Sequence, residues 1–225
     1  MTVAVLFARA DSIYKTLPNC DVWDIERDAR NWPVGSPVVA HPPCRAWGRL
    51  RQFAQPRDDE KALAIAAVGH VRQFGGVVEH PAESTLYAHC GLPRPGRFPD
   101  AFGGWSMEIE QFHFGHRAEK KTWLYIVGCQ PDDIPVMPHR EGKATHCVRP
   151  TRTYPRLPSI TKREREQTPP DLAIWLVELA RRCLTHSAEA GQKPREAGVS
   201  ELDESHLSAR QYSLSGPLVE KQSND

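Results

Sequence analysis

What the chain lacks narrows its function first. No two of its six cysteines (Cys20, Cys44, Cys90, Cys129, Cys147, Cys183) form a CxxC pair or a tight framework. Neither a zinc ribbon nor a disulfide-stapled secreted scaffold is indicated. The start lacks a basic segment followed by a long apolar core, so no secretory signal peptide is expected. No apolar run approaches the ~20 residues of a membrane span. The formal net charge is only +1 over 225 residues, so no protein-wide basic field advertises nucleic acid, although a local patch suffices for that. There is no P-loop, no Gly-x-Ser-x-Gly and no internal repeat. Together these absences lead us to expect a soluble, reduced, cytoplasmic protein without a membrane partner. Its 40% hydrophobic content is enough for one domain with a full core, or for two small ones.

What is present reads as alternating strands and helices. Short apolar runs at Val3 to Ala8, Cys20 to Ile25, Val38 to Ala40, Val77 to Glu79 and Thr122 to Gly128 are expected strands. Between the third and fourth, residues 58–74 carry acids in the first turn and apolar residues at helical spacing (63, 66, 67, 71, 74), and Gly75-Gly76 ends them. Strand, helix and strand in about forty residues is a βαβ unit, which requires a parallel sheet. Asp171 to Arg182, behind Pro169-Pro170, is a late helix. From His186 onward the composition turns to Ser, Glu, Gly, Lys and Gln. Residues 186–225 are therefore expected to be a disordered tail behind one domain, 1–185. The expected fold class is α/β, with a doubly wound, mostly parallel, Rossmann-like sheet.

In such sheets ligands bind outside the carboxyl ends of the strands. There the sequence places an unusual turn, Ser36 to Gly48, reading SPVVAHPPCRAWG. Two prolines stop a strand and stiffen the turn beyond it, so Cys44 is held where it cannot drift. Glu79 lies at the end of the adjacent strand, beside His80 and Pro81. A thiol and a carboxylic acid converging at paired strand ends suit covalent activation of a pyrimidine. The thiolate adds to ring carbon 6 while the acid hydrogen-bonds ring nitrogen 3, and carbon 5 becomes nucleophilic. Alone, Cys44 reads as an inert buried thiol and Glu79 as an ion-pair partner; their pairing carries the functional reading.

Pro42-Pro43-Cys44 after one strand and Glu79-His80-Pro81 after the next resemble the cytosine carbon-5 DNA methyltransferases, with their Pro-Pro-Cys loop and Glu-Asn-Val segment. In the same order, Phe114 to Gly128 is similar to that family's basic Gln-x-Arg-x-Arg segment leading into a strand. Ile160 to Glu164 is similar to its Leu-Thr-x-Arg-Glu segment. The resemblance spans roughly residues 36–183. It implies Cys44 as covalent nucleophile and Glu79 as the acid at ring nitrogen 3. Pro42, Pro43, Arg45, Arg117, Lys120 and Lys121 would be substrate contacts, and the target base would be flipped out of the duplex. The implied donor is S-adenosyl-L-methionine, against Phe7, Ala8, Asp24 and Asp28, and the implied partner is DNA or a pyrimidine nucleotide.

Departures from the family are also legible. The first strand runs into Phe7-Ala8-Arg9-Ala10-Asp11-Ser12, without the family's Phe-x-Gly-x-Gly turn. Arg45 stands where the family has Gln, and Trp123 where it has a second arginine. Residues 128–157 leave only a reduced target-recognition insert. The Thr161-x-x-Glu164 spacing also reads as a helix-starting capping box. His139, His146 and Cys147 fit no standard zinc spacing, and no metal is expected. Among His41, His80, His113 and His116 one could relay a proton. Trp47, Trp105 and Trp123 read as base-stacking or core residues. Two other classes of function remain open: a pyrimidine-nucleotide enzyme using another donor, and a catalytically degenerate fold that binds DNA or a partner.

Overall fold

In the computed structural model, residues 1–149 and 157–190 are described, with side chains as far as residue 183. The strands begin with β1 (Val3–Leu6), β2 (Cys20–Trp23) and β3 (Val38–Ala40), followed by helix α1 (Glu60–Phe74) and β4 (Gly76–Pro81). Then come α2 (Thr85–His89), β5 (Trp105–Glu110), β6 (Ala118–Glu119) and β7 (Lys121–Val127). Finally β8 (His146–Cys147) precedes α3 (Lys162–Glu166) and α4 (Pro170–Ala190). Six strands form one sheet in the order β2-β1-β3-β4-β7-β5; β6 and β8 pair separately. Neighbours from β2 to β4 are parallel, and β7 runs antiparallel to both β4 and β5. The result is a mostly parallel, mixed α/β sheet.

Strand alternation decides what each face meets. Val3, Val5, Val39 and Val77 pack with Leu172, Leu176 and Leu179 of α4. Ala4, Leu6, Val38, Ala40 and Val78 pack with Ala64, Ala67, Val68 and Val71 of α1. The sheet is thus covered on both faces, which explains why its central strands are continuous apolar runs.

Several boundaries shift for local reasons. β1 stops at Leu6 because Phe7 takes a left-handed backbone, φ 59°. β2 stops at Trp23, before Asp24 accepts hydrogen bonds from the Glu26 and Arg27 N–H groups at 3.0 and 3.1 Å and turns the chain. α1 buries Leu63, Ala64, Ala67, Val68 and Val71, while Ala66 is not among its buried residues. α4 reaches Ala190, into the stretch expected as tail. The rest of that stretch, 191–225, lies outside the described residues, as do 150–156 of the expected insert. No helix among the described residues is long and apolar enough to cross a membrane.

Gly76 opens the strand that carries Glu79. Its φ is +124°, and a Cβ there would lie 2.0 Å from the Val38 carbonyl oxygen. Neither the conformation nor the contact tolerates a side chain. Gly76→Ala is expected to cost about 3 kcal/mol or more, read as a lowered urea midpoint; a loss below about 0.5 kcal/mol would show that β3 and β4 can part without penalty.

Candidate active site at the carboxyl ends of the third and fourth strands

The strand order reverses beside β1: β2 lies on one side of it and β3 on the other. The crevice of an open α/β sheet forms at such a point. β3 and β4 pair in parallel, with Val38 opposite Gly76 and Ala40 opposite Val78. Continuing that register past Ala40 sets His41 beside Glu79. Their side chains meet: His41 Nδ1 and Glu79 Oε2 are 3.0 Å apart, and both groups are largely shielded from water. On its other side His41 Nε2 lies 2.9 Å from the Tyr14 hydroxyl. Glu79 Oε1 accepts from the Gln111 amide at 3.3 Å, and that amide also donates to Thr122 Oγ1 at 2.9 Å.

Three residues further, Cys44 begins a tight turn. Its carbonyl accepts from the Trp47 and Gly48 N–H groups at 3.1 and 2.8 Å. The turn is pinned to the segment after β4, because the Trp47 carbonyl accepts from Thr85 N and Thr85 Oγ1, both at 3.0 Å. Arg45, the residue after the thiol, pairs with the buried Glu60 at the start of α1, with Nε 3.2 Å from Oε2. The nucleophile candidate is therefore braced from β3, α1 and α2 at once.

The electrostatics of the pair are opposed. Burial pushes the Cys44 thiol up from its ordinary value of 9.0, the Glu79 charge pushes it further, and Lys120 pulls it back. The thiol is neutral at rest. For Glu79 burial also acts upward, but the His41 hydrogen bond and the positive charge of Lys120 outweigh it and bring the carboxyl down to about 2. The carboxylate is ionised at rest. His80, fully buried on the α1 face, is lowered to about 4 by burial. The Pro43 backbone favours its protonated form, yet neither ring nitrogen has a hydrogen bond of good geometry. It is neutral at pH 7.

The remaining sequence candidates divide. Lys120 acts on both Cys44 and Glu79, whereas Lys121 pairs with Glu108 at 2.9 Å on the surface. Arg117 pairs with Glu164, which also closes the capping box: Thr161 N donates to Glu164 Oε2 at 3.0 Å and Glu164 N to Thr161 Oγ1 at 3.2 Å. Pro42 is buried and Pro43 half-buried in the turn. Trp47 and Trp123 are core residues, and Trp105 donates to the Cys129 carbonyl at 2.7 Å. His113 stacks on His139 at 5.1 Å. His116 is buried against the Ala118 backbone. Among the described residues no group of three His, Cys, Asp or Glu side chains could hold a metal ion.

The acids expected to meet S-adenosylmethionine are already engaged. Asp24 is buried, meets Lys15 Nζ at 2.6 Å and caps the turn after β2. Asp28 is forked onto Arg30 at 2.6 to 2.9 Å. Phe7 turns its half-buried ring into the α1-side core, and Ala8 is buried. Beyond them Arg9 bridges Asp11 and Glu166, both at 2.8 Å, and Arg163 reaches Asp11 at 3.0 Å. The residues present do not fit that cofactor in the roles the resemblance implies.

Glu110, at the same end of the sheet, is not marked out by the sequence. It accepts from the Lys120 backbone N–H and is raised to about 7, chiefly by burial. The apolar–polar alternation of Trp105 to Glu110 is the signal that could have placed it. No family model and no curated protein matches this chain.

Alkylation of Cys44 by iodoacetamide should report this field. Its midpoint is expected above 9.0, to fall in Glu79→Gln and to rise in Lys120→Met. Peptide mapping separates Cys44 from the other thiols, and an unchanged midpoint in Glu79→Gln would show that the two groups do not interact.

Proposed function

We propose that the chain is a cytosine carbon-5 DNA methyltransferase-like enzyme. It activates a pyrimidine by adding Cys44 to ring carbon 6 and directs a one-carbon group to carbon 5. The observation that carries this reading is the β3–β4 register, which sets Glu79 against His41 at paired parallel strand ends, three residues before Cys44, while the charge of Lys120 acts on both groups. On base binding, a proton gained by Glu79 is placed at ring nitrogen 3. That gain removes the negative charge that raises the thiol, so Cys44 ionises more easily as the acid is loaded. The thiolate then adds to carbon 6, and the electron pair moves to carbon 5.

A groove of about 380 Å³, between the segment that follows the Cys44 turn and the residues before α3, favours a polymer over a free nucleotide. Leu50, Phe53 and Ile160 give it apolar walls, and Arg149 and Arg165 line it. Phe53 is 73% exposed, with the Arg149 guanidinium 5.8 Å from its ring centre. An exposed aromatic among arginines suits a base stacked beside its phosphates. The engaged state of Asp24 and Asp28 favours a second reading of the donor: another one-carbon carrier in place of S-adenosylmethionine.

The chemistry allows a test that does not depend on the donor. Reversible addition of Cys44 lets carbon 5 take up a solvent proton and lose its own before the thiolate leaves. An oligonucleotide tritiated at cytosine carbon 5 should therefore release tritium to water with wild-type protein alone. Release should vanish in Cys44→Ser and fall about 10²- to 10⁴-fold in Glu79→Gln. Absent release from both the oligonucleotide and the free nucleotide would overturn the enzyme reading and leave a DNA- or partner-binding fold. Phe53→Ala should weaken oligonucleotide binding by about 5- to 100-fold while leaving release from the free nucleotide unchanged. Calorimetry with S-adenosylmethionine, its demethylated product and a folate then assigns the donor.

A further inference from the structure

An ionised Glu79 cannot donate to ring nitrogen 3, so the reaction proposed above needs a proton delivered to a carboxylate that water barely reaches. Of the side chains hydrogen-bonded to that carboxylate among the described residues, His41 at 3.0 Å is of the type that carries a proton near neutrality. Gln111, the other partner, donates an amide hydrogen that it cannot give up. Lys120 acts on Glu79 through its charge. We propose that His41 is a positioning residue that carries the proton Glu79 gives to the base, held in register by Tyr14. This inference rests on the covalent reading of Cys44 and Glu79.

The step balances without a further reactant. The imidazolium Nδ1–H bond breaks and an O–H bond forms at Glu79 Oε2. The ring keeps its Nε2–H, which donates to the Tyr14 oxygen at 2.9 Å. Glu79 now donates to ring nitrogen 3 while the thiol proton leaves to solvent, and the sequence reverses when the thiolate departs. Tyr14 is suited to a fixed role because burial and the nearby Glu79 charge hold its phenol well above the ordinary value of 10.0. It stays protonated and orients the ring without taking part in the transfer. The ionisable groups around this unit are Tyr14 before β2, Cys20 on β2, Glu79 on β4, Lys120 before β7 and Cys44 beyond β3, with the neutral His80 next to Glu79 in the chain.

Two substitutions separate holding from carrying. His41→Leu removes both, whereas His41→Gln keeps an amide donor for Glu79 but carries no proton. At about pH 4, carbon-13 shifts should show the Glu79 carboxyl ionised in wild type and largely protonated in His41→Leu. Tritium release should fall about 10- to 100-fold in His41→Gln, with the substrate KM unchanged. The descending limb of its pH profile should move to lower pH, because Glu79 must then hold its own proton at rest. Tyr14→Phe should retain the profile with a smaller loss. Wild-type release rates in a folded His41→Gln, or an ionised Glu79 at pH 4 in His41→Leu, overturn the inference. Absence of release from wild type overturns the proposed function instead, and the carboxyl shift still decides whether His41 governs Glu79.

Discussion

The parallel pairing of β3 with β4 is the constraint on which the site depends. Ala40 opposite Val78 fixes His41 beside Glu79, and the same strand end starts the turn that holds Cys44. β4 continues to Pro81 with β7 alone beside it, so residues 79–81 project past the end of β3. One side of β4 there has no strand paired with it, and the Glu79 carboxylate is hydrogen-bonded to His41 and Gln111. The Pro-Pro pair is the matching device on β3, because it ends the ladder where the neighbouring strand continues.

That arrangement makes the thiol and the carboxylate a coupled pair. Burial holds Cys44 protonated and a negative Glu79 adds a further restraint, in a form that resists alkylation and oxidation. Neutralising Glu79 by a proton shared with a base removes that restraint. On the proposed reading, substrate arrival activates the nucleophile without any movement of the backbone. Lys120 moderates both groups in the direction of the charged forms, and its position depends on Glu110, which accepts from its backbone N–H. A lysine and its neighbour in sequence thus act differently: the charge of Lys120 acts on Cys44 and Glu79, and Lys121 pairs with Glu108 on the surface.

Much of this was legible in the sequence because the central strands are buried on both faces. Runs such as Val3 to Leu6 and Val38 to Ala40 suit the middle of a covered sheet, and the Gly75-Gly76 pair marked the end of α1. The Thr161–Glu164 capping box was equally readable, since it is a local bond pattern. What escaped was long-range. The Trp105 to Glu110 strand alternates plainly but its neighbour, β7, lies later in sequence, so Glu110 had no assigned place. β6 and β8 are two residues each and carry no periodicity at all. That His41, rather than any other histidine, touches Glu79 is a consequence of register, which sequence alone does not number.

The chain turns after β1 without a glycine. Phe7 turns the chain with φ 59° despite its bulk, a conformation that costs roughly 1–2 kcal/mol for a residue with a side chain. Its ring is retained by packing against the α1-side core, which is what offsets that cost. The loop beyond is then tied outward, Arg9 to Glu166 and Asp11 to Arg163, so α3 is fastened to the carboxyl end of β1. Glu166 also contributes to the field at Cys44. A donor entering beside β1 would have to compete with these ion pairs, and a carboxylate on the donor could take the place of Asp11 or Glu166 on Arg9. A donor with a carboxylate beyond the one that S-adenosylmethionine carries would thus have more to gain at Arg9, and the chemistry proposed at Cys44 and Glu79 is indifferent to which arrives.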